Sequence, residues 1–187
     1  RRFVEKVDAI RVGNPMDEET EMGTVISPEH LLKIESYIDL AQKEGGVILT
    51  GGTREMTGYN GPDGTGAFLR PTVVGNLPHT SRCATEEIFG PMVTLHTFST
   101  EQDALEMVNA SEYGLAGSVW TSDIERGQRF STQIDSGIVW VNTWLHRDLR
   151  TPFGGVKNSG VGREGGQWSL DFFSELTNIC IKDSDEN

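Results

Sequence analysis

The chain has 187 residues, 36% hydrophobic and 24% charged, which is enough apolar content for a packed core and too much for a disordered chain. Its formal net charge of −12 opposes approach to a phosphate backbone and argues against a nucleic-acid partner. No apolar run nears the ~20 residues of a membrane span, and Cys83 and Cys180, the two cysteines, make neither a disulfide framework nor a paired metal motif, so no membrane partner and a reducing, cytoplasmic setting are expected.

Residues 1–15, RRFVEKVDAIRVGNP, read as the tail of a helix that Gly13-Asn14-Pro15 stops. An acidic loop follows at 16–23. Residues 27–46, SPEHLLKIESYIDLAQKEGG, predict a helix with Ser27 as N-cap, Pro28 in the first turn and Gly45-Gly46 as terminator. Its apolar stripe is Leu31, Ile34, Ile38 and Ala41. VILTGG at 47–52 reads as a short buried strand, 53–66 as a long surface turn, and FLRPTVV at 68–74 as an extended segment that Pro71 assigns to an edge or a bulge. PMVTLHTF at 91–98 predicts another strand. Thr100 is placed to cap a helix over 101–111, and Ser122 or Asp123 to cap one over 122–134. Between and after these helices, LAGSVWT at 115–121 and SGIVWVNT at 136–143 read as strands. Strands alternating with helices of this length predict an α/β fold, a parallel sheet with flanking helices built from right-handed βαβ units. ELTNICIK at 175–182 is a last strand outside that series, and DSDEN is an acidic tail.

Within SGVGREGG, Gly160, Gly162 and Gly165 spell G-x-G-x-x-G. A dinucleotide loop with that spelling needs a strand before it, a helix after it and a further strand bearing an acidic residue. Here RTPFGGVKN precedes the motif and the sequence ends soon after it, so a structural glycine turn is the better reading. The four histidines are scattered, none at metal-ligand spacing, and no metal is expected. Cys83, beside Arg82, reads as a small packed hydrophobe in preference to a nucleophile, and Cys180 as packing within the last strand.

Two stretches carry chemistry. In TEEIFGP, Glu86 and Glu87 stand before Ile88, Phe89 and a Gly-Pro turn. A carboxylate presented there suits the paired hydroxyls of a ribose; the competing reading is a charged strand start with Phe89 in the core. In NTWLHRDLRTPFGG, Trp144 and Phe153 accompany Arg147 and Arg150 beyond a strand end. That arrangement suits an anionic planar ligand, or a surface loop whose arginines pair with Asp148 and water.

EEIFGP, YGLAGSVWT, SGIVWVN and TPFGGVKNSGVGREGG, in this order, with GNPMDEETEMGTVIS and FLRPTVV before them, resemble the C-terminal part of the NAD(P)-dependent aldehyde dehydrogenase superfamily. The resemblance covers nearly the whole chain. The NTWLHRDLRTPFGG loop resembles the branch that oxidises 2-hydroxymuconic or 2-aminomuconic semialdehyde. The resemblance implies that Glu87 holds the nicotinamide ribose hydroxyls of NAD, with NADP left open, and that Phe89 borders the nicotinamide. It implies that Phe153 lines the substrate tunnel, and that Arg147, with Arg150 in reserve, pairs with a substrate carboxylate; Trp144, by its place in the same loop, is expected to bind substrate with them.

By the same resemblance, the attacking cysteine that forms a thioester and the glutamate that activates water belong to a segment upstream of Arg1, as does the cofactor domain. No catalytic residue is therefore expected in this chain, and Cys83 stands in the wrong motif for the role. The implied organisation is a partial catalytic α/β domain over 1–150, a glycine-rich loop and short helix over 151–174, and a homo-oligomerisation strand with its tail over 175–187. The chain reads as a fragment of an aldehyde-oxidising enzyme, inactive alone. The alternative is a truncated, non-catalytic paralogue acting through its subunit interface.

Overall fold

The computed structural model describes residues 1–55 and 66–182, so most of the expected turn at 53–66 and all of the acidic tail lie outside the described residues. The chain forms two compact units, Arg1–Phe98 and Ser99–Asn187. No helix among the described residues is long and apolar enough to cross a membrane.

The first unit is built on one amphipathic helix. α1 (Arg2–Asp8) is short and carries no buried residue. α2 (Pro28–Lys43) starts where the Ser27 hydroxyl accepts the His30 N–H at 3.1 Å, with Pro28 in the first turn, so an orphan donor of the helix end is satisfied. Leu31, Ile34, Ile38 and Ala41 are its buried residues, the stripe that the 3.6-residue period predicts. Leu31, Ile34 and Ile38 pack with Ala67, Leu69 and Ile88. Ala41 packs with Val74, Leu77 and Cys83.

The strand beneath is β2 (Thr72–Gly75), buried along its whole length. It is central, between β1 (Val47–Thr50) and β3 (Met92–Thr94). β3 runs parallel to it and β1 antiparallel. This corrects the expectation of a wholly parallel sheet. The chain turns back on itself after β1, as the antiparallel bridge Arg54–Leu69 shows, whereas a parallel partner needs a crossover connection of a dozen or more residues. Pro71 does not mark an edge either. It stands just before β2, where a missing N–H costs no ladder bond, and the register shift falls on β1 between Ile48 and Thr50. β1 is an edge strand, with Val47 and Leu49 exposed rather than buried.

α3 (Arg82–Thr85) docks on α2 by polar contacts. The Ser81 hydroxyl accepts the Cys83 N–H at 3.1 Å and caps it. Arg82 donates to both oxygens of Glu86, at 2.6 and 3.0 Å. Tyr37, on α2, donates its hydroxyl to Glu86 Oε2 at 2.5 Å. The Arg82 guanidinium, and after it the Tyr37 hydroxyl, hold the Glu86 carboxyl down at about 2.

In the second unit, α4 (Glu101–Asn109) opens with a capping box. Asp103 N–H donates to the Thr100 hydroxyl and Thr100 N–H to the Asp103 carboxylate, each at 3.1 Å. β5 (Ala116–Val119) and β6 (Ile138–Val141) form a parallel pair in register, with α5 (Ile124–Ser131) between them in sequence. Asp123, not Ser122, caps α5. The Asn142 side chain ties the ends of the pair, accepting from Thr121 N–H and donating to the Thr121 carbonyl at 2.8 Å each. β4 (Tyr113–Gly114) pairs antiparallel with β7 (Val156–Lys157), so this unit too mixes strand directions. α6 (Gly166–Phe173) buries none of its residues.

The expected last strand makes no ladder among the described residues. Leu176 is 99% exposed, and Ile179 and Ile181 are exposed with it. A single extended segment cannot satisfy its backbone without an edge to pair with. Cys180, expected to pack, is exposed too.

Two outcomes are expected. Ile34→Ala removes the centre of the first core and costs about 2–5 kcal/mol, measurable as a lowered urea midpoint at constant slope. The Glu86 pairing stabilises the fold fully above the ordinary glutamate pKa of ~4.3, and its contribution is lost as pH falls from there through the folded value of about 2. Arg82→Ala should return the Glu86 titration, followed by carboxyl NMR, towards ~4.3 and flatten the stability profile in that window.

Candidate functional site

The turn at 86–91 assigns different work to its two glutamates. Glu86 is committed to Arg82 and Tyr37. Glu87 is exposed, and among the described residues its carboxylate has no hydrogen bond or ion pair. Ile88 turns inward and joins the α2 core. Burying Ile88 faces its neighbours away from the core: Phe89 is 76% exposed and has a φ of +59°. A bulky residue in the left-handed region is strained, so the surroundings must hold it. They do so from α2. Lys33 Nζ donates to the Glu87 carbonyl at 3.1 Å, and the Phe89 carbonyl is 2.7 Å from His30 Nε2, which therefore carries the hydrogen. The His30 and Phe89 rings meet edge-on at 6.4 Å. Gly90 completes the turn, because a Cβ there would overlap Ile34. Of the two readings of TEEIFGP, the one with Phe89 in the core is excluded.

Cys83 is in the core, its Sγ 3.4 Å from the Tyr37 carbonyl, and burial pushes its thiol up. A thiol in that setting is a poor nucleophile.

The second cluster lies on the loop after β6, in the other unit. Trp140 is buried and donates Nε1–H to the His146 carbonyl at 2.8 Å, which fixes the path of the loop. Trp144, half-exposed, packs edge-on against Trp140 with centroids 4.9 Å apart. Arg147 lies over the Phe153 ring, 4.0 Å from guanidinium carbon to centroid, in cation–π geometry. Its Nη2 donates to Glu164 Oε1 at 3.0 Å. Arg150 closes its fork on Asp148 with contacts of 2.5–3.1 Å. That pairing, with the Arg150 backbone N–H, lowers the Asp148 carboxyl pKa. The structure therefore joins Arg147 with Phe153 and places Trp144 on Trp140. It uses Arg150 within the loop.

The glycine motif is a turn that zips two backbone segments together. Phe153 and Glu164 form an antiparallel bridge with both N–H···O distances 2.8 Å. Gly165 has a φ of +98°, and a Cβ there would run into the Thr151 carbonyl. β7, just before the motif, pairs antiparallel with β4, and among the described residues no strand follows α6. The βαβ context of a dinucleotide loop is not met.

Sequence reasoning did not single out His30, Lys33 or Glu164. His30 and Lys33 are one turn apart on the polar face of α2, a spacing visible in the sequence, but their partners are 59 and 54 residues away. No group of three or more residues suited to hold a metal ion occurs among the described residues.

Comparison with known proteins agrees over nearly the full chain. Residues 1–179 match the aldehyde dehydrogenase family. The chain is 44% identical to 2-hydroxymuconic semialdehyde dehydrogenase of Pseudomonas putida, over 94% of this chain and 36% of that protein. It is 43% identical to 2-aminomuconic 6-semialdehyde dehydrogenase of a Pseudomonas species, over 96% and 36%. It superposes with a TM-score of 0.83 and 40% identity on the crystal structure of betaine aldehyde dehydrogenase from Staphylococcus aureus in complex with NAD+, covering 97% of this chain and 38% of that one. The chain thus spans little more than a third of the length of these relatives, and with that extent of match it belongs to the aldehyde dehydrogenase family.

Proposed function

We propose that these residues form the C-terminal part of an NAD(P)-dependent aldehyde dehydrogenase that oxidises a carboxylate-bearing aldehyde of the muconic semialdehyde type to its acid. The observation that carries the proposal is the turn at 86–91. Its second carboxylate is unpaired among the described residues, and the aromatic ring beside it is exposed at a positive φ. A free carboxylate offers two acceptor oxygens for the vicinal hydroxyls of a ribose, and an exposed ring beside it offers an apolar wall for a nicotinamide. These residues fit the cofactor seen with the S. aureus relative. When bound, NAD(P)+ supplies the hydride acceptor of the oxidation. In this chain Glu87 would hold the ribose and Phe89 would border the ring.

The substrate class rests on the second cluster and on the names of the two Pseudomonas relatives. Arg147 gives one Nη2 hydrogen to Glu164 and keeps its other donors uncommitted among the described residues, so one two-donor edge remains to bind a carboxylate through two parallel hydrogen bonds. Phe153 and Trp144 supply the aromatic lining. We place the nucleophile and the general base in the part of the relatives that this chain does not span; Cys83 is buried and burial pushes its thiol up. The exposed apolar residues of α6 and of 175–182 support a homo-oligomer contact through this end of the chain. The same feature favours the second reading, a non-catalytic paralogue acting through that contact.

Two experiments test the enzyme assignment. The isolated chain, assayed with NAD+ and 2-hydroxymuconic semialdehyde, should reduce no cofactor; turnover that vanishes in Cys83→Ser would overturn the assignment. In the full-length protein that carries these residues, Glu87→Gln keeps size but weakens charge-assisted hydrogen bonds by roughly 1.5–3 kcal/mol. Hydride transfer should slow about tenfold or more, with thiol acylation little changed. Normal transfer and normal cofactor affinity in that variant would refute the role of Glu87.

A further inference from the structure

We propose that Glu164, within the glycine motif, is a positioning residue that sets the preference for carboxylate-bearing aldehydes by holding Arg147 in place. The inference rests on the proposed role of Arg147 and adds a residue that this role requires.

An arginine side chain on a loop samples many rotamers, and fixing one for ligand binding costs free energy. Three contacts remove that freedom here. The guanidinium lies over Phe153 at 4.0 Å. One of its five N–H groups, on Nη2, donates to Glu164 Oε1 at 3.0 Å. The backbones of Phe153 and Glu164 are themselves joined by the two 2.8 Å hydrogen bonds of their bridge, so the ring and the carboxylate that grip Arg147 spring from one fixed backbone pair. Gly165 fixes the next step of the backbone by admitting the Thr151 carbonyl.

The grip leaves donors to spare. A carboxylate that took both donors of one guanidinium edge would occupy the fork, as Asp148 does with Arg150 through Nε and Nη2. Glu164 touches Arg147 through Nη2 alone, so the second Nη2 hydrogen stays available and makes a two-donor edge with its neighbouring N–H. The pair is half-exposed, with side-chain exposures of 38% for Arg147 and 62% for Glu164. Water therefore screens the repulsion between Glu164 and an incoming carboxylate, while the orientation of the fork is kept. Arg147 and Arg150 lie in one loop and differ in this respect: one is held open and the other is closed.

The test uses the full-length protein carrying these residues and reads the ratio of kcat/KM for 2-hydroxymuconic semialdehyde to that for an uncharged aliphatic aldehyde. A calorimetric Kd for adipate, a dicarboxylate that cannot react, gives a readout independent of turnover. Glu164→Ala should lower the ratio about tenfold, through KM, and weaken adipate by a similar factor; about 1.4 kcal/mol corresponds to that change. Glu164→Gln, which keeps the acceptor oxygen, should restore most of both. Glu164→Asp, which retains the backbone bridge and draws the carboxylate back by one methylene, should fall between them and serves if the alanine variant does not fold. An unchanged ratio, or tighter adipate binding in Glu164→Ala or Glu164→Asp, overturns the proposal, the latter by showing that Glu164 competes with the ligand. Arg147→Ala tells the two levels apart. If it leaves the ratio intact, the role of Arg147 itself is wrong; if it collapses the ratio while the Glu164 variants do not, only the positioning role fails.

Discussion

The burial of Ile34 between α2 and the sheet is the constraint on which the first unit depends. This side chain is fully excluded from solvent and belongs to the cluster that contains Leu69 and Ile88. Its position fixes the rotation of α2 about its axis. With the apolar stripe inward, His30, Lys33 and Tyr37 come to the side of the helix that the 86–91 turn passes. Each of the three takes one polar group of that turn. Ile88 enters the same cluster from the turn itself. Burial and hydrogen bonding together leave Phe89 one direction to point, and that direction is solvent. Hydrophobic packing chooses the register, and the strained Phe89 is held by the polar contacts around it.

The loop after β6 follows the same logic with different materials. It has no apolar stripe to anchor it, and its fixed points are backbone contacts: Trp140 on the His146 carbonyl, Asn142 across the strand ends, and the Phe153–Glu164 bridge. Each constrains the backbone of the loop and leaves aromatic and guanidinium groups at its surface. Loops that carry binding residues commonly rest on such fixed points. Here Trp144 and Arg147 each lie on an aromatic side chain that the loop's fixed points hold.

Local signals made half of this legible from the sequence. The α2 stripe, the Ser27 cap with Pro28, and the Thr100 cap needed only spacing and cap chemistry, and the structure has all of them. Strand partners were less accessible, because a four-residue apolar run does not state its neighbour: β1 was read as buried and proves to be an edge. Pro71, which in the sequence signals an edge or a bulge, precedes the central strand. The two glutamates of TEEIFGP could not be told apart by composition. Arg82 precedes Glu86 by four residues, a helical pairing distance, and that signal was available. The Tyr37 contact, 49 residues distant, was not. Arg147 and Arg150 differ in the same way, since the partner of Arg150 is two residues away and that of Arg147 is seventeen.

The G-x-G-x-x-G spelling shows why a motif needs its context. Glycine is required wherever one backbone must approach another group more closely than a Cβ allows, or where φ must be positive. In a dinucleotide loop the approaching group is a pyrophosphate. At Gly165 it is the carbonyl of Thr151, and at Gly166 that of Arg150. The steric requirement is common to both cases, and the three letters record only that requirement. What approaches is decided by the strand direction before the motif and the elements after it. β7 runs antiparallel to β4, and the turn folds back on the 149–155 loop before α6 begins at Gly166. By folding back it sets Glu164 beside Phe153 and Arg147, so the glycines of this turn bring a carboxylate to the loop after β6 rather than a cradle to a nucleotide.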